Sequence, residues 1–305
     1  MASRAAAAAL VVLAMVCAAQ SSLSAAAAAG GLSPDFHAAT CPPLEQIVAL
    51  HVREAFKNDS GVAPALIRIL FHDCFPQGCD ASVLIEGPGS EQKERPNTTL
   101  RRGALDLIDR IRAAVHHACK ATVSCADITV LATRESLFLA GGPRFDVTLG
   151  RLDSFFPASP EQVKLLPAPF HNVDKLIESF GKRGLDVADL KNCDKDFPRG
   201  TVEQNLDRRT PDIFDNKYYF DLIAKQGLFK SDQGLIDHPA TKSKATHFSL
   251  NQGAFFDQFA KSMAKMVKMD LLTGNKGEIR ANCKVRGKPP RIQTAVDDEG
   301  IAADM

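Results

Sequence analysis

The chain has 305 residues, with 37 Lys and Arg against 36 Asp and Glu, for a formal net charge of +1. That balance excludes a protein that grips nucleic acid through a surplus of basic charge. Hydrophobic residues at 45% and charged residues at 24% fit an ordinary globular chain with enough core for one large domain.

Residues 1–30 read as a secretory signal peptide. Arg4 gives a positive start, residues 5–19 form a short apolar run, and Ser24, Ala25, Ala29 and Gly30 supply the small residues a signal peptidase requires. The run is too short and Ala-diluted for a membrane anchor, and no other segment approaches the roughly 20 apolar residues that span a bilayer. The mature chain is therefore expected to be secreted, free of the membrane, and folded where disulfides form. Of eight cysteines, Cys17 leaves with the signal, and an odd set of seven remains: Cys41, Cys74, Cys79, Cys119, Cys125, Cys193 and Cys283.

In chain order the body, residues 31–283, reads as one mainly α domain. An apolar helix is predicted from near Val62. Leu105, Ile108, Ile111 and Val115 form a helical stripe. Residues 125–139 predict a long apolar-rich helix stopped by Gly141, Gly142 and Pro143. Phe255, Phe259, Met263, Met266 and Val267 mark a further helix. Residues 87–89 and 157–169 read as loops, dense in Gly and Pro. Residues 144–149 are the best candidate strand, and a short one. From Lys284 the chain is polar, with Pro289, Pro290, Asp297, Asp298 and Glu299, and residues 284–305 are expected to be a disordered tail.

The chemistry concentrates at residues 68–84. Arg68 and His72 are four apart and share a helix face. A guanidinium beside an imidazole keeps the imidazole neutral, as a general base requires, and can stabilise charge on a leaving oxygen. Cys74 and Cys79 are close enough in sequence for a small looped disulfide. That staple would hold Asp73, Asp80 and Ser82, three hard oxygens of the kind calcium prefers. On their own, an Arg–His pair most often marks a solvated face, and this oxygen group a polar turn.

Residues 68–84, read as Arg68-x-x-Phe71-His72-Asp73-Cys74-Phe75-x-x-Gly78-Cys79-Asp80-Ala81-Ser82-Val83-Leu84, resemble the distal haem motif of the secretory plant peroxidases, class III. The resemblance extends through Ala39 to Pro42, Val123 to Asp127, Leu139 to Pro143, Leu166 to Phe170, Thr210 to Asn216 and Ser231 to Gln233. It implies a haem-peroxidase fold of about ten helices, with haem b and two calcium ions, acting as a monomer on hydrogen peroxide and small phenolic donors. By that resemblance His72 is the distal base, Arg68 its partner in O–O cleavage, and Asn97 the acceptor that fixes the His72 tautomer. The distal calcium shell is implied to be Asp73, Asp80, Ser82 and the carbonyls of Pro76 and Gly78, with Glu91 reaching it through water. The proximal shell is Asp207, Thr210, Ile213 (by its carbonyl) and Asp215. Pro167 resembles the proline of the substrate channel, and Asp232 the carboxylate that supports the iron-ligating His. Asp127 and Arg151 resemble a buried ion pair whose second arginine is Leu152 here. The implied disulfides are Cys41–Cys119, Cys74–Cys79 and Cys125–Cys283.

One departure matters. The family's Gly-x-His-Thr motif, which carries the haem-ligating His, does not occur in this chain. After Leu190 the sequence passes directly to Lys191-Asn192-Cys193-Asp194, which resembles a segment much further along the family pattern. A proximal helix and the loop after it are missing by this comparison, together with a Thr of the proximal calcium shell. The partner of Cys193 goes with them, leaving Cys193 unpaired and the second calcium site incomplete. The other histidines, His37, His51, His116, His117, His171, His238 and His247, are expected in surface or capping roles rather than as iron ligands. Three functions follow: a secreted peroxidase, a haem-poor or inactive variant that keeps its calcium, and a calcium-stapled structural protein. The family pattern favours the first, and the missing His favours the second. Asn58 and Asn97 each begin a glycosylation sequon.

Overall fold

Ten α-helices occur among the described residues, and they divide into two groups. The first comprises α1 (Leu44–Asn58), α2 (Val62–Cys74), α3 (Arg102–Cys119), α4 (Cys125–Leu139), α5 (Pro160–Val163) and α6 (Val173–Gly181). The second comprises α7 (Lys217–Ile223), α8 (Lys230–Asp237), α9 (Pro239–Leu250) and α10 (Gln252–Met266). The computed structural model describes residues 31–189 and 206–287. The expected signal peptide, the Leu190–Lys191 junction, Cys193 and the tail beyond residue 287 lie outside the described residues.

α4 is the axis of the first group, with α1 and α2 packed along it and α3 against α1. It is buried on nearly every side, as its apolar composition requires. The Ser124 side chain caps its start by accepting from Asp127 N, a contact worth about 1 kcal/mol. The stripe Leu105, Ile108, Ile111 and Val115 turns inward on α3. Each such Leu or Ile contributes roughly 1.5–3 kcal/mol on burial. In the second group α9 lies against α8 and α7, with α10 beside it. Aromatic residues fill the space: Phe214 meets Phe259 at 4.6 Å and Tyr219 meets Phe255 at 5.2 Å between ring centroids.

The three implied disulfides form, at Cys41–Cys119, Cys74–Cys79 and Cys125–Cys283. The Asp127–Arg151 pair is buried, with Arg151 Nη1 donating to Asp127 Oδ1 at 3.0 Å. No helix among the described residues is long and apolar enough to cross a membrane.

Four expectations are corrected. Residues 144–149 form no strand; Leu149 makes a single antiparallel bridge with Ser33, because the segment beside it offers no further extended residues. Within residues 157–169, read as loop, Ser159 and Gln162 close a capping box that starts α5. The tail does not loosen at Lys284: its ammonium reaches Asp109 at 2.7 Å and Asp106 at 3.0 Å, and Arg286 lies over the Phe156 ring. His37 is buried rather than superficial, because its Nε2 meets Asp127 Oδ2 at 2.9 Å.

Candidate functional site

α2 ends in the site. Its spacing places Arg68 and His72 on one face, and the Arg68 Nε–H donates to His72 Nε2 at 3.4 Å. With Nε2 accepting, the ring proton sits on Nδ1, which faces Asn97 Oδ1 at 2.6 Å. Asn97 is oriented in turn, since its Nδ2 donates to the Glu91 carbonyl at 2.9 Å. The Arg68 guanidinium also donates to the Thr99 and Pro96 carbonyls and to Thr99 Oγ1, tying α2 to the loop that carries Asn97. Burial and the Arg68 charge hold His72 down at about 4, opposed by its hydrogen bond to Asn97. His72 is therefore a neutral imidazole over the whole neutral range, with its lone pair on Nε2.

The chain after α2 folds back through Cys74–Cys79 and is stitched by backbone amides. Asp73 accepts from Ala81 N at 2.9 Å and Val83 N at 3.4 Å, and Asp80 from Ser82 N at 3.1 Å and Gln77 Nε2 at 3.0 Å. Glu91 Oε1 accepts from Ala158 N at 3.0 Å. Gly78 has a φ of +132°, and a Cβ there would lie 2.3 Å from the Asp270 carbonyl, so only glycine fits this turn. Pro76, Gly78, Asp73, Asp80, Ser82 and Glu91 are all buried. Burial raises all three carboxyls: Asp73 lies well above the usual range, pushed further by the Asp80 charge, Asp80 sits at about 7, and Glu91 is raised too. Ser82 Oγ and Glu91 Oε2 are both buried, and the Ser82 hydroxyl lies close enough to Asp80 and Glu91 to lower both carboxyls somewhat against that burial. Among the described residues no three His, Cys, Asp or Glu side chains converge closely enough to hold an ion by themselves. A cation here would therefore draw on Ser82 and backbone carbonyls as well as on carboxylates.

The other expected residues are placed as follows. Thr210 lies between Asp207 and Asp215, with its hydroxyl 3.2 Å from Asp207 Oδ2 and 3.0 Å from Asp215 Oδ1. Ile213 is an exposed residue of the same turn, donating its N–H to the Thr210 carbonyl. Asp232 is buried at the start of α8, accepting from the Tyr218 hydroxyl at 2.9 Å and from Phe229 N at 3.0 Å. Pro167 is buried in the segment between α5 and α6. His238 pairs with Asp174 at 3.2 Å and caps α9, His171 Nδ1 accepts from Ala168 N, and His247 is exposed.

Sequence reasoning missed two groups here. One is His37, which joins Asp127. The other is a buried set, Asp153 with Arg112 and Arg280. Asp153 accepts from Cys125 N, Ala126 N and Arg280 N at the start of α4. Neither periodicity nor the motif resemblance that marked Asp127 and Arg151 points to these residues.

The family model described as Peroxidase matches residues 48–192 and 190–251, in two stretches that meet near the Leu190–Lys191 junction. Peroxidase 12 of Arabidopsis thaliana is 41% identical over 311 aligned positions, covering 89% of this chain and 86% of that protein. Cationic peroxidase SPC4 of Sorghum bicolor is 41% identical (84% and 82% covered), and Peroxidase N of Armoracia rusticana 38% (83% and 90%). Since 89% of 305 residues is about 271, some 40 of the 311 positions aligned with Peroxidase 12 have no counterpart here.

Proposed function

Because the chain belongs to the peroxidase family, we propose that it is a secreted peroxidase for hydrogen peroxide and small phenolic donors, with His72, Arg68 and Asn97 at the peroxide. The observation that carries this reading is the relay from the Glu91 carbonyl through Asn97 to His72. It leaves an unprotonated Nε2 facing the guanidinium of Arg68. Nε2 takes the proton of one peroxide oxygen and returns it to the other, and Arg68 stabilises the charge that gathers on the departing oxygen. Asn97 keeps the ring in the tautomer that permits both transfers.

The family implies haem, which when bound supplies iron redox chemistry, and calcium. The distal residues fit the haem: a neutral buried base and a cation share one helix face. Among the described residues the proximal side offers no buried histidine beside Asp232: that carboxylate accepts from Tyr218 and Phe229, His171 and His238 are committed elsewhere, and His247 is exposed. The distal loop fits calcium: Asp73, Asp80, Ser82 and Glu91 are buried oxygen donors gathered at one stapled turn, with the Ser82 hydroxyl beside Asp80 and Glu91, which supports its assignment to Asp73, Asp80, Ser82 and the carbonyls of Pro76 and Gly78, with Glu91 behind. Asp207, Thr210 and Asp215 face one another across one turn, and the second site is read as incomplete because the resemblance places a further Thr of its shell in the missing segment. Pro167 is assigned to the donor channel.

The proximal mismatch favours a second reading, in which an internal deletion at the Leu190–Lys191 junction has removed the axial His. The chain then keeps its calcium loop and turns nothing over. The roughly 40 unmatched aligned positions and the family match broken at residues 190–192 support it. Purified chain given haem and calcium separates the two. A Soret band that persists in His72→Leu, with guaiacol oxidation that does not, supports the peroxidase; calcium binding without either signal supports the deleted form. Sequencing the transcript across the junction shows whether the missing segment is encoded.

A further inference from the structure

We propose that Arg280 is a positioning residue for the distal ion loop, clamping the backbone of Ala81 in the conformation that presents Asp80 and Ser82 to calcium. The proposal rests on the calcium reading of that loop given above.

Ala81 stands between Asp80 and Ser82 with φ 58° and ψ 20°, the left-handed region that residues with a Cβ enter at a cost. It is held from both sides. Its N–H donates to Asp73 Oδ2 at 2.9 Å, and its carbonyl accepts from Arg280 Nη2 at 2.6 Å. Arg280 comes from the far end of the described chain and is 2% exposed. It is itself fixed on three further contacts: its backbone N–H donates to Asp153 Oδ2 at 2.9 Å, its Nη1 to the Cys283 carbonyl at 3.0 Å, and its own carbonyl accepts from Arg112 Nε at 2.7 Å. Asp153 is anchored on the first amides of α4, and Ser154 N donates to the Asp80 carbonyl at 2.8 Å. The segment around residues 278–283, locked by Cys125–Cys283, therefore reaches the ion loop through one guanidinium.

A positioning role and a purely electrostatic one predict opposite signs. Arg280 is a cation whose charge is felt at Glu91. If charge alone mattered, removing it would favour a second cation nearby. If Arg280 holds Ala81, removing it lets the backbone leave the left-handed region. The binding-competent fraction falls, and the apparent affinity falls in proportion. Glycine enters that region freely, so Ala81→Gly should then restore what was lost.

The test is calorimetric titration of the chelator-stripped full chain, disulfides intact, with calcium chloride. Asp80→Asn assigns the distal site in the parent. Arg280→Met is expected to bind calcium about tenfold more weakly at that site, and Arg280→Met with Ala81→Gly to regain most of the loss. Equal or tighter binding by Arg280→Met, or no recovery on adding Ala81→Gly, overturns the proposal. If Arg280→Met does not fold, Arg280→Lys replaces it under the same criterion, since it keeps the charge but loses the fork that spans the Ala81 and Cys283 carbonyls. A parent whose calcium binding is indifferent to Asp80→Asn overturns the calcium reading itself, and the proposal with it.

Discussion

Removing the charge of Asp127 tests whether the polar centre beneath α4 holds the fold together. The carboxylate is fully buried and each oxygen is used twice. Oδ1 accepts from Arg151 Nη1 at 3.0 Å and Arg151 N at 3.3 Å, and Oδ2 from Gly150 N at 2.7 Å and His37 Nε2 at 2.9 Å. Asp127→Asn preserves the shape but leaves the Arg151 guanidinium buried without a counter-charge, which costs about 3–5 kcal/mol. For a domain of this size that lowers Tm by roughly 10 °C, at about 2–4 °C per kcal/mol. Asp127→Leu combined with Arg151→Met removes both charges and should cost less than the two single changes together, since neither partner is left stranded. The assay is urea unfolding with disulfides intact, followed by circular dichroism. A single-variant cost below about 1 kcal/mol, or a double variant no better than the sum, refutes the reasoning.

Other outcomes are expected. His72 lies at about 4 when folded, against an ordinary 6.5, so the unfolded chain takes up its proton first. Stability from this group is complete above pH 6.5 and falls by about 3 kcal/mol as pH drops towards 4; His72→Gln should remove that dependence in urea titrations at fixed calcium. Gly78→Ala forces a Cβ against the Asp270 carbonyl and should cost about 1–3 kcal/mol of stability, with loss of calcium binding. Mass mapping of glycopeptides from a secretory host should find sugar on exposed Asn58 and none on Asn97, which is 2% exposed and bonded to His72 and Glu91.

The chain pattern made the helices and the distal pair legible for different reasons. Leu105, Ile108, Ile111 and Val115 announce a buried face by period alone. Arg68 and His72 gained meaning only from the motif around them, since their spacing fits a solvated face equally well. His37 and Arg280 were not legible, because their partners Asp127 and Ala81 lie 90 and 199 residues away and a lone charge carries no period. The capping box at Ser159 and Gln162 was readable in principle, but the prolines around it masked a helix of one turn. Lys284 was placed by local composition, and its tertiary contacts with Asp106 and Asp109 decided otherwise.

The disulfide pattern also sets a timetable for manufacture. During synthesis from the N-terminus Cys74 and Cys79 meet almost at once, and Cys119 emerges to find Cys41 already waiting. Cys125 appears six positions later, but its mate Cys283 is 158 residues further on. At about 5–20 residues per second the Cys125 thiol waits roughly 10–30 s for that mate, in an oxidising lumen on the secreted reading proposed above. Cys193 emerges in that interval as a competing thiol, so any Cys125–Cys193 pairing has to be undone by thiol–disulfide exchange, with the Cys283 thiolate attacking Cys125 and releasing Cys193, before the correctly bridged chain is complete.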